Sequence, residues 1–141
     1  MLVSINENDS LPIYLQIARQ IKEQVLVGEL TVGDELPSVR ELGDALGISL
    51  HTARNAYQSL SDAGLLQIRL GKKARIADLD LVSRPTNAQL LKLREDARDL
   101  VVDAMLSGMG AKDVHEMMDE EMDKLRLRSD EVPPGARGRG K

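Results

Sequence analysis

Gly47 is followed, after the single residue Ile48, by Ser49, so one helix has to stop and another start within the space of a turn. Gly supplies the left-handed backbone that ends a helix, and Ser supplies a side-chain oxygen for the free amides that begin the next. Upstream, Pro37 and Ser38 open a helix, with Glu41 placed three residues after the Ser as a capping box. Val39, Leu42, Ala45 and Leu46 supply its buried face. Downstream, a helix is predicted over about 50–63 with Ala53, Ala56, Tyr57 and Leu60 inward. Two short helices joined by a Gly-containing turn make a helix-turn-helix.

The flanking sequence extends the motif. The first ten residues read as an extended lead-in, and Ser10 before Leu11 and Pro12 reads as a helix start. Tyr14, Ile17, Ala18, Ile21 and Val25 then recur at three- and four-residue spacing until Gly28. After Gly64, residues 65–70 partly alternate as a strand, Gly71 with Lys72 makes a tight turn, and Ala74 and Ile76 lie on a returning strand. A β-hairpin behind a helix-turn-helix is a wing. Residues 79–85 read as a linker. Leu90, Leu93, Ala97, Leu100, Val101, Ala104 and Met105 then trace an apolar stripe over 86–107, which Gly108 and Gly110 interrupt. Val114, Met117, Met118, Met122 and Leu125 place a second stripe on a helix ending near residue 128, and 130–141 read as a disordered tail. The expected fold is mainly α: an α+β winged helix-turn-helix in residues 1–78 and a C-terminal antiparallel two-helix dimerisation hairpin in residues 86–129.

Composition narrows the function. With two Tyr and neither Phe nor Trp in 141 residues, the core has to be aliphatic, which suits packed helices. The absence of Cys excludes disulfides, thiolate metal sites and Cys nucleophiles. His51 and His115 lack metal-ligand spacing, and the acidic run Asp119, Glu120, Glu121 reads as a solvated helix face, so no metal or cofactor is expected. There is no Gly-rich phosphate loop and no Ser-His-Asp constellation, so no catalytic residue and no enzyme is expected. No apolar run reaches the length of a membrane span, and the N-terminus lacks the layout of a signal peptide, so a cytoplasmic protein with no membrane partner is expected.

A net charge of −4 weighs against nucleic acid, but phosphates meet one face of a protein and not its average. His51, Arg54, Asn55 and Gln58 fall at intervals of three and four on the helix that follows Ser49. They share a face opposite Ala53, Tyr57 and Leu60, and no acidic residue lies between His51 and Ser61. Arg reaches guanine, and Asn or Gln reaches adenine. Ser49 and Thr52 stand near the helix N-terminus, where hydroxyls and amides meet phosphate. Arg40 on the preceding helix is a phosphate candidate, with a salt bridge to Glu41 or Asp44 as the competing reading. Arg69, Lys72, Lys73 and Arg75 make the wing basic.

Taken together, residues 12–76 resemble the DNA-binding domain of the GntR family of bacterial regulators. The resemblance is carried by Pro12-Ile13-Tyr14, Gln16-Ile17, Gly28, Leu30, Gly33, Leu36-Pro37-Ser38, Arg40, Leu42, Leu46-Gly47-Ile48-Ser49, Thr52, Ala56-Tyr57, Leu60, Gly64 and Gly71. The Pro-Ile-Tyr opening and the short C-terminal segment are most similar to the YtrA-like subfamily, whose members pair through two C-terminal helices and often act as repressors. The resemblance implies DNA contacts from Ser38, Arg40, Ser49, Thr52, Arg54 and the wing at Gly71 and Lys72, with Lys73 adding charge. Two departures stand out: Leu50 occupies a position where the family usually has Arg, and the wing reads Gly71-Lys72-Lys73-Ala74-Arg75-Ile76 where Gly-x-Gly-Thr-Phe-Val is usual.

The expected partners are a second copy of the chain, double-stranded DNA with a palindromic operator, and a small apolar effector between the DNA-binding and dimerisation elements, motivated by the Met-rich stripe. Leu90, Leu93, Ala97, Leu100, Val101, Ala104, Val114, Met118, Met122 and Leu125 are the candidate dimerisation residues, since a two-helix hairpin cannot bury its apolar stripes alone. A winged-helix adaptor that binds protein instead of DNA is the alternative reading, supported by the acidic net charge and Leu50.

Overall fold

The computed structural model describes residues 2–78 and 86–125. Five helices and one two-stranded antiparallel sheet follow in the order α1 (Ile13–Leu26), α2 (Val39–Leu46), α3 (Leu50–Asp62), β1 (Leu66–Gln67), β2 (Arg75–Ile76), α4 (Asn87–Leu106) and α5 (Ala111–Leu125). The fold is therefore mainly helical, a winged helix-turn-helix followed by a helix pair. The expected linker, the end of the second stripe beyond Leu125 and the expected tail lie outside the described residues.

α1 and α3 pack across a core in which Ile17, Ile21, Leu36 and Leu60 are fully buried, with Ala53, Ala56 and Tyr57 of α3 alongside. Burial of each large aliphatic side chain contributes about 1.5–3 kcal/mol, so this cluster, aliphatic but for Tyr57, holds the three helices in place. α2 is capped as expected: Ser38 Oγ accepts from Glu41 N at 3.0 Å, and Ser38 N donates to Glu41 Oε1 at 2.9 Å. Gly47 ends it in the left-handed region at φ 68°. Ser49 caps α3, its Oγ accepting from Thr52 N at 3.1 Å.

The structure corrects three details. Ser10 does not cap α1; Pro12 takes the cap position with no side-chain bond, and the segment before it is held by Gln16 instead. Ala45 is exposed, because successive helix residues turn by about 100° and the face toward α3 is centred on Val39, Leu42, Gly43 and Leu46. Gly43 is the buried member, and a Cβ there would stand 3.1 Å from the Ile48 carbonyl oxygen, so the turn is as tight as glycine allows. The expected strand over 65–70 shrinks to Leu66–Gln67, since Ile68 and Leu70 are exposed and continued pairing would bury nothing.

Leu66 pairs with Ile76 and Gln67 with Arg75. The other edge of β2 is covered by residues 33–36: Gly33 N donates to Ile76 O, Ile76 N to Asp34 O, and Leu36 N to Ala74 O, each at 2.9 Å. The wing is thereby stitched to the loop before α2. At its tip Lys72 N donates to Arg69 O at 3.2 Å, and Gly71 adopts φ 75°, which leaves Leu70 wholly exposed.

The N-terminal arm is fastened by a ladder of glutamines. Gln16 Nε2 donates to Asn6 O and its Oε1 accepts from Asn6 N, both at 2.9 Å. Gln20 repeats this on Ser4, and Gln24 Nε2 donates to Leu2 O. Four residues of helix advance about 6 Å and two residues of extended chain about 6.6 Å, so the two repeats stay in step.

α4 carries the capping box Thr86 with Gln89 and is followed by Ser107 as its C-cap. Ala104 and Val114, on either side of the connection to α5, are the buried residues of this pair of helices among those described. The rest of both stripes stands open: Leu90, Leu93, Leu100, Met118 and Met122 are each at least 40% exposed. Val101 and Leu125 are half-buried and Ala97 is exposed. Among the described residues no helix is long and apolar enough to cross a membrane.

Candidate nucleic-acid interface

α3 is anchored by its inner face and offers its outer face. Ala53, Ala56, Tyr57 and Leu60 are buried, and Tyr57 Oη donates to the Pro37 carbonyl at 2.6 Å, tying α3 to the residue that precedes the α2 cap. Burial, and to a lesser extent the nearby Glu41 charge, pushes the Tyr57 hydroxyl above its ordinary value, so it stays a donor. The opposite face carries His51, Arg54 and Gln58, all exposed, with Thr52 and Asn55 half-buried at its margins.

The hydrogen-bond partners of this face define what it has left to offer. Asn55 Nδ2 lies 3.3 Å from His51 Nε2, one turn apart. Gln58 Nε2 donates to Asp62 Oδ1 at 2.9 Å, an acidic neighbour just beyond the stretch that reads as free of carboxylates in the sequence. Ser49 Oγ donates to Thr52 Oγ1 at 3.0 Å, so the Thr52 hydroxyl proton is the one free to point outward. Arg40 and Arg54 are exposed and make no ion pair among the described residues. The expected competitor for Arg40, a bridge to Glu41 or Asp44, does not form among the described residues, and Glu41 pairs with Lys73 instead.

The wing cations are divided. Lys73 Nζ sits 3.2 Å from Glu41 Oε1, and Arg75 Nη2 sits 3.1 Å from Glu35 Oε2. Lys72 is exposed at the turn. The extra charge that distinguishes this wing is thus partly neutralised within the fold. Glu41 does two tasks: it completes the α2 cap and holds Lys73. The Ser38 amide, followed by Lys73, keeps its carboxyl below the ordinary 4.5.

The sequence reading missed both carboxylate partners, because each pairing joins residues more than thirty positions apart that meet only when the wing folds back on α2. The glutamine ladder carried a signal that could have been read, Gln16, Gln20 and Gln24 at four-residue spacing. Among the described residues no group of His, Cys, Asp and Glu could hold a metal ion.

Comparison with known proteins places this arrangement. Residues 13–76 match the family described as bacterial regulatory proteins, gntR family. The chain is 30% identical to the HTH-type transcriptional repressor YtrA of Bacillus subtilis over 119 residues, 84% of this chain and 91% of that protein. It is 38% identical to the repressor NagR of the same organism, in a match spanning 64% of this chain and 35% of NagR. The crystal structure of a transcriptional antiterminator from Listeria monocytogenes EGD-e superimposes with a TM-score of 0.83 at 29% identity, covering 94% of this chain and 97% of that one. YtrA from Sulfolobus acidocaldarius, a GntR-family transcription factor, superimposes with a TM-score of 0.51 at 29% identity over 86% of this chain and 97% of that one. The chain therefore belongs to the gntR family of bacterial regulatory proteins, on its YtrA-like side, and is a DNA-binding transcription regulator of that family.

Proposed function

We propose that the protein is a homodimeric repressor that reads a palindromic operator with α3 in the major groove and the wing against the adjacent backbone. In this reading residues 1–78 form the DNA-binding unit and residues 86–129 the pairing segment. The observation that carries it is the outer face of α3, where His51, Arg54, Asn55 and Gln58 sit on a helix fixed from behind by Tyr57. Arg54 is the principal base reader, suited to guanine O6 and N7. Ser38, Arg40, Ser49, Thr52, Gly71 and Lys72 contact phosphates, and Lys73 joins them when phosphate displaces Glu41.

Pairing is supported by the open stripes of α4 and α5, an apolar surface that water would not leave bare in a stable monomer. A two-fold pair sets two recognition helices about 34 Å apart, or a multiple of it, and so calls for a palindrome. Responsiveness to a small apolar effector belongs to the same proposal and is motivated by Met118 and Met122 on α5. A ligand that binds the folded state raises Tm, so melts against a panel of metabolites test it.

The direct test is selection of binding sites from random duplex DNA at two salt concentrations. Enrichment of a palindrome, with affinity falling as salt rises, is the expected result. No enrichment and no binding at low salt would overturn the proposal in favour of a protein-binding adaptor.

A further inference from the structure

Leu50 is the one large apolar side chain of α3 that is exposed, at 37%. It is the first residue of the helix, immediately after the Ser49 cap, and on the helical wheel it falls beside Arg54, one turn on. Its Cδ2 lies 3.8 Å from where a Cβ on Gly43 would stand. The side chain therefore lies beside the bare backbone of α2 at Gly43, and Leu50, His51 and Arg54 are all exposed. A leucine in this place has no hydrogen bond to offer a base edge or a phosphate. Placed in a major groove it finds one complementary apolar feature, the C5 methyl group of thymine.

Resting on the DNA-reading proposal above, we infer that Leu50 is a specificity-determining residue that selects thymine by apolar contact with its methyl group. The N-terminal residues of a recognition helix are those that approach base edges, which is where Leu50 stands. The contact discriminates by burial instead of by hydrogen bonding. Guanine or adenine in the same place sets polar groups against the leucine, and cytosine lacks the methyl group.

The test is a scan of the selected operator duplex in which each thymine is replaced in turn by deoxyuridine, which lacks only the methyl group. The scan is run with the wild-type protein and with Leu50→Ala and Leu50→Arg. One symmetry-related thymine in each half-site is expected to be sensitive, with wild-type affinity falling about fourfold per half-site, the worth of one buried methyl group. Leu50→Ala binds thymine and deoxyuridine at that position equally. A fresh selection with Leu50→Arg is expected to replace that thymine by guanine, and this second variant decides the matter if Leu50→Ala melts early. A scan with no sensitive thymine, or one equally sensitive in Leu50→Ala, overturns the inference while leaving the DNA-reading proposal intact. Failure of the wild-type protein to bind any duplex overturns both.

Discussion

Tyr57 joins the recognition helix to the start of α2 through one atom, and its loss is expected to be felt in both. Tyr57→Phe keeps the ring and leaves the part-buried Pro37 carbonyl without this donor, at a cost of about 0.5–1.5 kcal/mol. The denaturant midpoint should fall while the slope stays unchanged. The sign of its pH dependence follows from a hydroxyl raised above the ordinary 10.0. Its contribution is complete below that value and declines above it, as the unfolded chain ionises first. The gap between wild type and Tyr57→Phe should therefore narrow in alkaline melts. Glu41 behaves in the opposite sense. Its carboxyl is lowered, so its contribution is present above 4.5 and is lost as pH falls through the lowered folded value. Glu41→Gln preserves the capping geometry and removes the charge that holds Lys73. The difference in Tm between Glu41→Gln and wild type should accordingly disappear on acidification. Ser38, Gly47 and Ser49 were legible from sequence because a cap is a local agreement between a side chain and its own backbone. The Glu41 to Lys73 and Glu35 to Arg75 pairs were not, because nothing local brings those residues together.

At the scale of elements, α1 has two faces with two tasks. Ile17, Ile21 and Val25 enter the core, while Gln16, Gln20 and Gln24 hold the N-terminal arm. Gln16 is only 6% exposed and makes three hydrogen bonds, so Gln16→Ala should cost about 1–3 kcal/mol. It should also free the Asn6 amide, which hydrogen exchange would register as faster exchange at that residue of the arm before any global unfolding. The apolar face of α1 was plain from its spacing, and the polar face was not, since glutamines on a helix ordinarily face water. Ala45 illustrates the complementary error. Its spacing placed it with Leu42 and Leu46, but α3 approaches from the Gly43 side, and a short helix can be rotated by its neighbours without breaking its periodicity.

At the scale of the whole molecule, a winged helix-turn-helix is followed by a helix pair whose apolar stripes are open. Leu100→Glu places a charge in the middle of the α4 stripe, and is expected to convert a two-chain particle to a one-chain particle in sedimentation equilibrium without unfolding residues 2–78. Loss of pairing should weaken operator binding far more than binding to a single half-site. The stripes were legible in sequence through their spacing, and their exposure follows from a helix pair in which, among the described residues, Ala104 and Val114 are the buried ones. Whether α3 reads sequence is decided by comparing the affinity of wild type and Arg54→Ala for the selected duplex and for a scrambled one at fixed salt. Wild type is expected to prefer the selected duplex by about 10³-fold or more, and Arg54→Ala to keep its hold on the scrambled duplex while losing most of that preference. Equal affinity of the wild-type protein for both duplexes, or a preference untouched by Arg54→Ala, would contradict it.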